Sequence, residues 1–149
     1  MNIRFLWDVL PDVLFVSMLV CCSVTDLKKR EIPNTAILLI MALSIAHLIS
    51  ITIRGFPWYE YALGTLFAVP FFFAWRKGLM GGGDIKLLFV MGLYLGACLM
   101  LISFAITLAV CIGLLIRRAV RRSGIRVRLP LAPVLSLGAV VTVALSYLF

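Results

Sequence analysis

Apolar runs of roughly 15 to 30 residues, broken only by short clusters of charge, constrain this chain more than any other feature. Crossing the ~30 Å hydrocarbon layer takes about 20 helical residues. Six spans of about 17–20 residues occupy most of the 149 residues and leave loops but no water-soluble domain. Composition agrees: 64% of the chain is hydrophobic and 13% charged, whereas a soluble domain carries about 25% charge. Such a chain has too little polar surface to cover a soluble fold. The expected architecture is an all-α polytopic bundle forming a single membrane-embedded domain over residues 1–149, with any chemistry built from span ends and short loops.

The net charge of +8 does not point to nucleic acid. The bases sit at span boundaries, and no aromatic and basic stripe runs through a soluble segment. Cys21, Cys22, Cys98 and Cys111 lie within apolar runs and form no C-x-x-C pair, so neither a metal knuckle nor a disulfide framework is indicated. The expectation is a chain with no metal and no cofactor. The first apolar stretch, Val9–Thr25, lacks the basic n-region and small-residue exit of a cleavable signal peptide.

Candidate spans are Val9–Thr25, Thr35–Ile53, Trp58–Trp75, a long stretch over Ile85–Ile116, and Leu131–Phe149. Lys and Arg in short loops favour the cytoplasm. Of the 14 basic residues, all but Arg4 and Arg54 fall in three alternate loops: after the first span, after the third, and before the last. Both termini are therefore expected outside. The segment Leu87–Ile116 has no charge and would run roughly 45 Å as one helix, yet basic clusters flank both its ends. It must be a hairpin, with its turn near Gly96, which makes six spans with a short fourth one of about 10–12 residues. The Gly-rich segment Gly78–Asp84 before that short span then dips to membrane depth, where irregular backbone is tolerated only against protein or a wet cavity.

The acids divide into two groups. Asp8, Asp12 and Glu60 lie near outer span ends and read as solvated charges, and Glu31 sits among Lys28, Lys29 and Arg30. Asp26 closes the first span and Asp84 opens the fourth, so the topology puts both on the cytoplasmic side. Two carboxylates meeting at the mouth of a bundle can divide the labour of an aspartic protease. One, ionised, takes a proton from water; the other, protonated, donates to the scissile carbonyl. The residues alone leave another reading open, in which Asp84 is a helix N-cap and Asp26 balances Lys28 and Lys29. Gly81, Gly82 and Gly83 favour the dyad, since they leave no side chain between the backbone and an approaching extended peptide. Lys86 projects away from Asp84 and reads as an interfacial anchor. His47, alone in the second span, reads as a neutral hydrogen-bonded imidazole, and Gly92-x-x-x-Gly96 as a close helix contact.

Two segments carry a family likeness. Asp26-Leu-Lys-Lys-Arg-Glu-Ile-Pro-Asn34 resembles the D-x(6)-P-N signature, and Gly81-Gly-Gly-Asp84-Ile-Lys-Leu the G-x-G-D-x-K-L signature, of the prepilin peptidases. These are intramembrane aspartic proteases of the G-x-G-D type. Leu129-Pro-Leu-Ala-Pro133 is similar to the Pro-rich opening of their last span. The resemblance implies six helices in the bacterial cytoplasmic membrane and a site facing the cytoplasm. It implies Asp26 and Asp84 as catalytic residues, with Lys86, Pro33 and Asn34 in support. The implied substrates are prepilin or pseudopilin precursors, cut after a glycine that ends a short basic leader. Larger members carry a cytoplasmic insert with paired cysteines linked to methylation of the new amino terminus. Nothing before Asp26 resembles it, and the chain looks like the short forms serving Flp/Tad-type pili.

Two other classes compete. A small ion- or proton-coupled carrier could use Asp26 and Asp84 as relay groups, although no internal repeat is visible and the acids gather at one face. A non-catalytic assembly factor for a secretion or pilus machine is the third.

Overall fold

A computed structural model of the chain describes residues 3–29, 32–78, 81–120 and 131–148. Six helices carry almost all of them: α1 (Ile3–Lys29), α2 (Asn34–Ile53), α3 (Trp58–Thr65), α4 (Ala68–Arg76), α5 (Gly82–Val120) and α6 (Leu131–Ser146). Among the described residues there is no strand. Three helical stretches, Val9–Lys28, Asn34–Ile53 and Gly82–Arg117, are long and apolar enough to cross a membrane, and Ala132–Ser146 is a shorter apolar helix.

The faces of these helices show why the chain needs a lipid solvent. α2 buries Ile37, Ile40 and Ser44 but exposes Leu38, Leu39, Ile45, Ile49 and Ile53. A helix at a water surface would turn charge outward; this one turns leucine and isoleucine outward along its length. Contiguous apolar surface on this scale marks contact with another apolar phase. The buried core is thin and is built from Phe15, Leu19, Leu87, Leu88, Met91 and Met100.

α5 is two arms. At Gly96 the backbone leaves the helical region, with φ 73° and ψ 175°, a conformation that glycine adopts without a Cβ clash. Side-chain contacts give the direction of each arm. Along α1 and α6, Ser23 meets Ser136 and Asp12 meets Tyr147, so these helices are antiparallel. The first arm also opposes α1, with Asp12 meeting Tyr94 at one end and Asp26 near Asp84 at the other. On the second arm Thr107 reaches Val134 and Ser103 lies against Gly138, so this arm opposes α6 and therefore opposes the first arm. The chain thus turns back at Gly96, where the charge pattern requires it. Gly96 is a turn residue, and a Cβ on it would meet the Tyr61 ring at 3.4 Å. Both glycines of the expected close contact lie against Gly64: a Cβ there would stand 2.2 Å from the Gly92 carbonyl oxygen and 2.9 Å from the Gly96 carbonyl carbon, and a Cβ on Gly92 would stand 2.2 Å from the Gly64 carbonyl oxygen.

Two expectations need correction. The third stretch, Trp58–Trp75, is not one uninterrupted helix but α3 and α4, separated at Leu66–Phe67. Pro70 explains the break. Having no N–H, it cannot bond the carbonyl of Leu66 four residues back, and its ring crowds that carbonyl. The backbone there stays near helical angles but tightens to bonds three residues apart, Leu66 N–H to Leu63 (3.1 Å) and Val69 N–H to Leu66 (3.0 Å). The first arm of α5 is also longer than expected, because the helix already begins at Gly82.

Candidate active site

Asp26 lies in the last turn of α1, and its residue is only 9% exposed. α6 begins beside it, and the backbone N–H of Ala132 hydrogen-bonds to its carboxyl. N–H groups in the first turn of a helix have no partner within the helix, so this one is free to serve a neighbour. The carboxyl is still not fully satisfied. Oδ2 is buried and has no hydrogen-bond partner among the described residues. Buried polar atoms almost always have one, and a buried carboxylate oxygen without one is held there by the packing around it.

Asp84 is the third residue of α5 and accepts a hydrogen bond from the backbone N–H of Gly81, just outside the helix. This is the reach-back half of a capping box, made from the third helical position and not from the N-cap. Capping therefore accounts for part of what Asp84 does. It does not account for the approach of Asp26, whose carboxyl lies close enough to act on Asp84 electrostatically. Asp26 and Asp84 therefore lie at the same end of the bundle.

The three glycines are closely packed, each against a different partner. A Cβ on Gly81 would stand 3.2 Å from Asp84 Oδ2, one on Gly82 3.3 Å from Trp75 Nε1, and one on Gly83 3.2 Å from Ile32. Gly82 and Gly83 are helical; Gly81 alone lies outside the helix, over the Asp84 carboxyl. Pro33 sits at the N-cap of α2 in an extended conformation, and its carbonyl receives the N–H of Ala36 (3.1 Å). Asn34, the first residue of α2, accepts a hydrogen bond from Lys86 Nζ at 3.0 Å. Lys86 and Asn34 thus form a tie between α2 and α5, two residues along α5 from Asp84. Beside the tie an apolar groove of about 650 Å³ runs between α2, α4 and α5, with Ile37, Met41, Phe72 and Phe89 in its walls. Glu31, Leu129 and Pro130 lie outside the described residues.

Four features escape the sequence. Ala132 contributes a backbone group, which leaves no mark in a sequence. Ser23 and Ser136 hydrogen-bond to each other across α1 and α6; Ser23 stands one turn before Asp26, a spacing that could have singled it out. At the far end of the bundle Asp12 is not a solvated charge. It accepts hydrogen bonds from the hydroxyls of Tyr94 and Tyr147. Nor is His47 alone: it stacks on Tyr94 with ring centroids 4.4 Å apart.

Comparison with known families places the chain. A model of the type IV leader peptidase family matches residues 13–117, a segment that contains both aspartates. The chain belongs to the type IV leader peptidase family. It is 34% identical over 151 aligned positions to the prepilin leader peptidase/N-methyltransferase of Bacillus subtilis (strain 168), an alignment covering 95% of this chain and 56% of that protein. The chain therefore spans little more than half the length of that curated relative. No solved structure matches it.

Proposed function

We propose that this protein is a membrane-embedded aspartic endopeptidase that removes short basic leaders from prepilin or pseudopilin precursors, cutting after a glycine at the cytoplasmic face. Family membership supports peptidase chemistry on such precursors. The observation that carries the aspartic mechanism is the pairing of Asp26 with Asp84, where Asp26 Oδ2 is buried and has no partner among the described residues. In the proposed reaction one carboxylate takes a proton from water, and the water oxygen attacks the scissile carbonyl carbon. The other, protonated, acid gives its proton to the carbonyl oxygen. Collapse of the resulting diol breaks the C–N bond; one diol hydroxyl returns its proton to the dyad while the departing nitrogen takes one up from it, which restores the starting protonation. The groove beside Lys86 gives an apolar segment of substrate room to lie next to the cut. Asp26 and Asp84 face the cytoplasm, and the chain crosses the membrane six times with both termini outside.

The test uses detergent-purified protein and a precursor peptide with a basic leader ending in glycine. Mass spectrometry should show a single cut after that glycine. Absence of cleavage by folded protein would favour the carrier or the assembly factor. Orientation is checked separately. Cysteines replacing Lys77 and Phe56 in a cysteine-free background should label from opposite faces of the membrane, Lys77 from the cytoplasm.

A further inference from the structure

The dyad needs Asp26 to keep one fixed pose, yet Asp26 lies in the last turn of one helix and its one described hydrogen-bond donor belongs to another. Whatever fixes α6 relative to α1 therefore fixes the Asp26 carboxyl. The two helices are antiparallel, and one turn from the Asp26–Ala132 contact they are joined by Ser23 and Ser136. Both serines are buried, 8% and 5% exposed. Ser23 precedes Asp26 by one turn on α1; Ser136 follows Ala132 by one turn on α6. The bridge and the carboxyl contact are thus successive rungs of one ladder.

The proton count shows how the bridge constrains the helices. Each hydroxyl has one proton. Three contacts are within reach: the cross-helix bond, Ser23 back to the Leu19 carbonyl at 2.8 Å, and Ser136 back to the Pro133 carbonyl at 3.0 Å. One hydroxyl donates across and the other donates back into its own helix, so both protons are used in either arrangement. No other polar partner is needed, and the apolar neighbours Leu19, Ala132 and Leu135 are fully or almost fully buried. In a lipid-exposed bundle, where the helices have no hydrophobic drive to associate, such a bond sets register as well as adding stability.

We propose that Ser23 and Ser136 are positioning residues for the peptidase reaction: their bridge holds the first turn of α6 against Asp26, so that the Ala132 N–H engages the carboxyl and holds it beside Asp84. The proposal rests on the dyad reading of the site. Loss of the bridge lets α6 slide, and a misplacement of about 1 Å at a catalytic group can cost up to about 100-fold in rate. Substrate is held by other surfaces, so its binding is not altered.

The experiment measures kcat and KM on the same precursor peptide for full-length Ser23→Ala, Ser136→Ala and the double variant. Asp26→Asn and Asp84→Asn run beside them. Each serine change should lower kcat by about 10-fold or more with KM within about 2-fold, and the double variant should be no slower than either single, as expected of groups acting through one contact. Ser136→Thr keeps the hydroxyl and should restore most of kcat. If an alanine variant fails to fold, Ser23→Cys preserves shape with a weak hydrogen-bonding group and should show the same loss. Folded serine variants at parental kcat, or single losses that multiply in the double, would overturn the proposal. If the aspartate variants still cleave, the dyad reading fails instead. If they are dead while the serine variants are fully active, only the positioning role fails.

Discussion

Asp12 and Asp26 stand on the same helix, about 21 Å apart by helical rise, and the bundle treats them in opposite ways. At the Asp12 end each carboxylate oxygen receives a tyrosine hydroxyl, one from Tyr94 on α5 and one from Tyr147, in the turn just past α6. Tyr94 is itself clamped, stacked on Phe15 at 3.9 Å and on His47 at 4.4 Å. At the Asp26 end a second carboxylate approaches and one oxygen has no partner among the described residues. A carboxylate with a tyrosine donor on each oxygen is held in one place and ties helices together. One left short of partners costs stability and keeps an oxygen available to bind and move a proton. The aspartates are chemically identical; the helices packed around each decide its use.

The largest expected effect comes from removing the acid at the open end. Asp26→Asn and Asp84→Asn should each reduce cleavage by roughly 10²–10⁴-fold, and the double variant should be hardly worse, because residues acting as a unit are non-additive. In Asp84→Asn the new amide oxygen can still accept from the Gly81 N–H, so the capping bond survives while the acid does not. Thermal unfolding in detergent should therefore change little. Near-parental cleavage by folded Asp84→Asn would reduce Asp84 to a cap.

The closed end should give the reverse pattern. Asp12→Ala strips two hydroxyls of their acceptor, and Tyr94, only 3% exposed, cannot turn to water. Loss of hydrogen bonds to a charged group costs about 1.5–3 kcal/mol each in favourable cases. The variant should melt several degrees lower, while kcat of the protein that remains folded stays within about 3-fold of the parent, far less than loss of an acid or base costs. A large fall in kcat with an unchanged melting curve would show that the two ends are not separable.

How much of this was legible beforehand depended on the reach of the signal. The approach of Asp26 to Asp84 could be read because Asp26 opens one short motif at a span end, Asp84 stands in another, and charge parity puts the two ends on one side. Gly96 could be read because a stretch too long for one span and too short for two must turn at a glycine. Asp12 could not be read, since its partners Tyr94 and Tyr147 come from segments remote in sequence and their rings look like ordinary core. The break at Leu66–Phe67 was written in Pro70, but hydropathy counts proline's polarity and not its missing N–H. The Ala132 N–H could not be read at all, because every residue but proline has one.

A packing change should loosen the closed end without touching either acid. Gly64 and Gly92 meet backbone to backbone, and a Cβ on Gly92 would stand 2.2 Å from the Gly64 carbonyl oxygen. Neither backbone can swing aside as a side chain would, so Gly92→Ala must push α3 from α5. Overpacking costs typically about 1–3 kcal/mol. Gly113 is the control, with nothing within 4 Å of its added Cβ; alanine there should be neutral or slightly stabilising, by at most about 1 kcal/mol of helix preference. Equal melting shifts for the two would mean that the glycine crossing does not hold the helices.

The smallest effect should come from the tie at the open end. Lys86 and Asn34 join α5 to α2 as Asp12 joins α1 to α5 and α6, but both residues of the tie are exposed. When an exposed bond breaks, water takes the place of each partner, so its net worth sits at or below the low end of the usual range, about 0.5 kcal/mol. Lys86→Met keeps most of the aliphatic length and removes the donor. Its melting curve should shift by no more than about one degree, well short of Asp12→Ala, even though both changes cut a hydrogen-bonded link between helices. Cleavage sharpens the same contrast. If Lys86 only anchors α5, kcat should hold within about 3-fold, against the 10²–10⁴-fold loss of an acid or base. A fall in kcat comparable to that of Asp84→Asn would make Lys86 part of the catalytic machinery, and the open end would then hold three working groups instead of two.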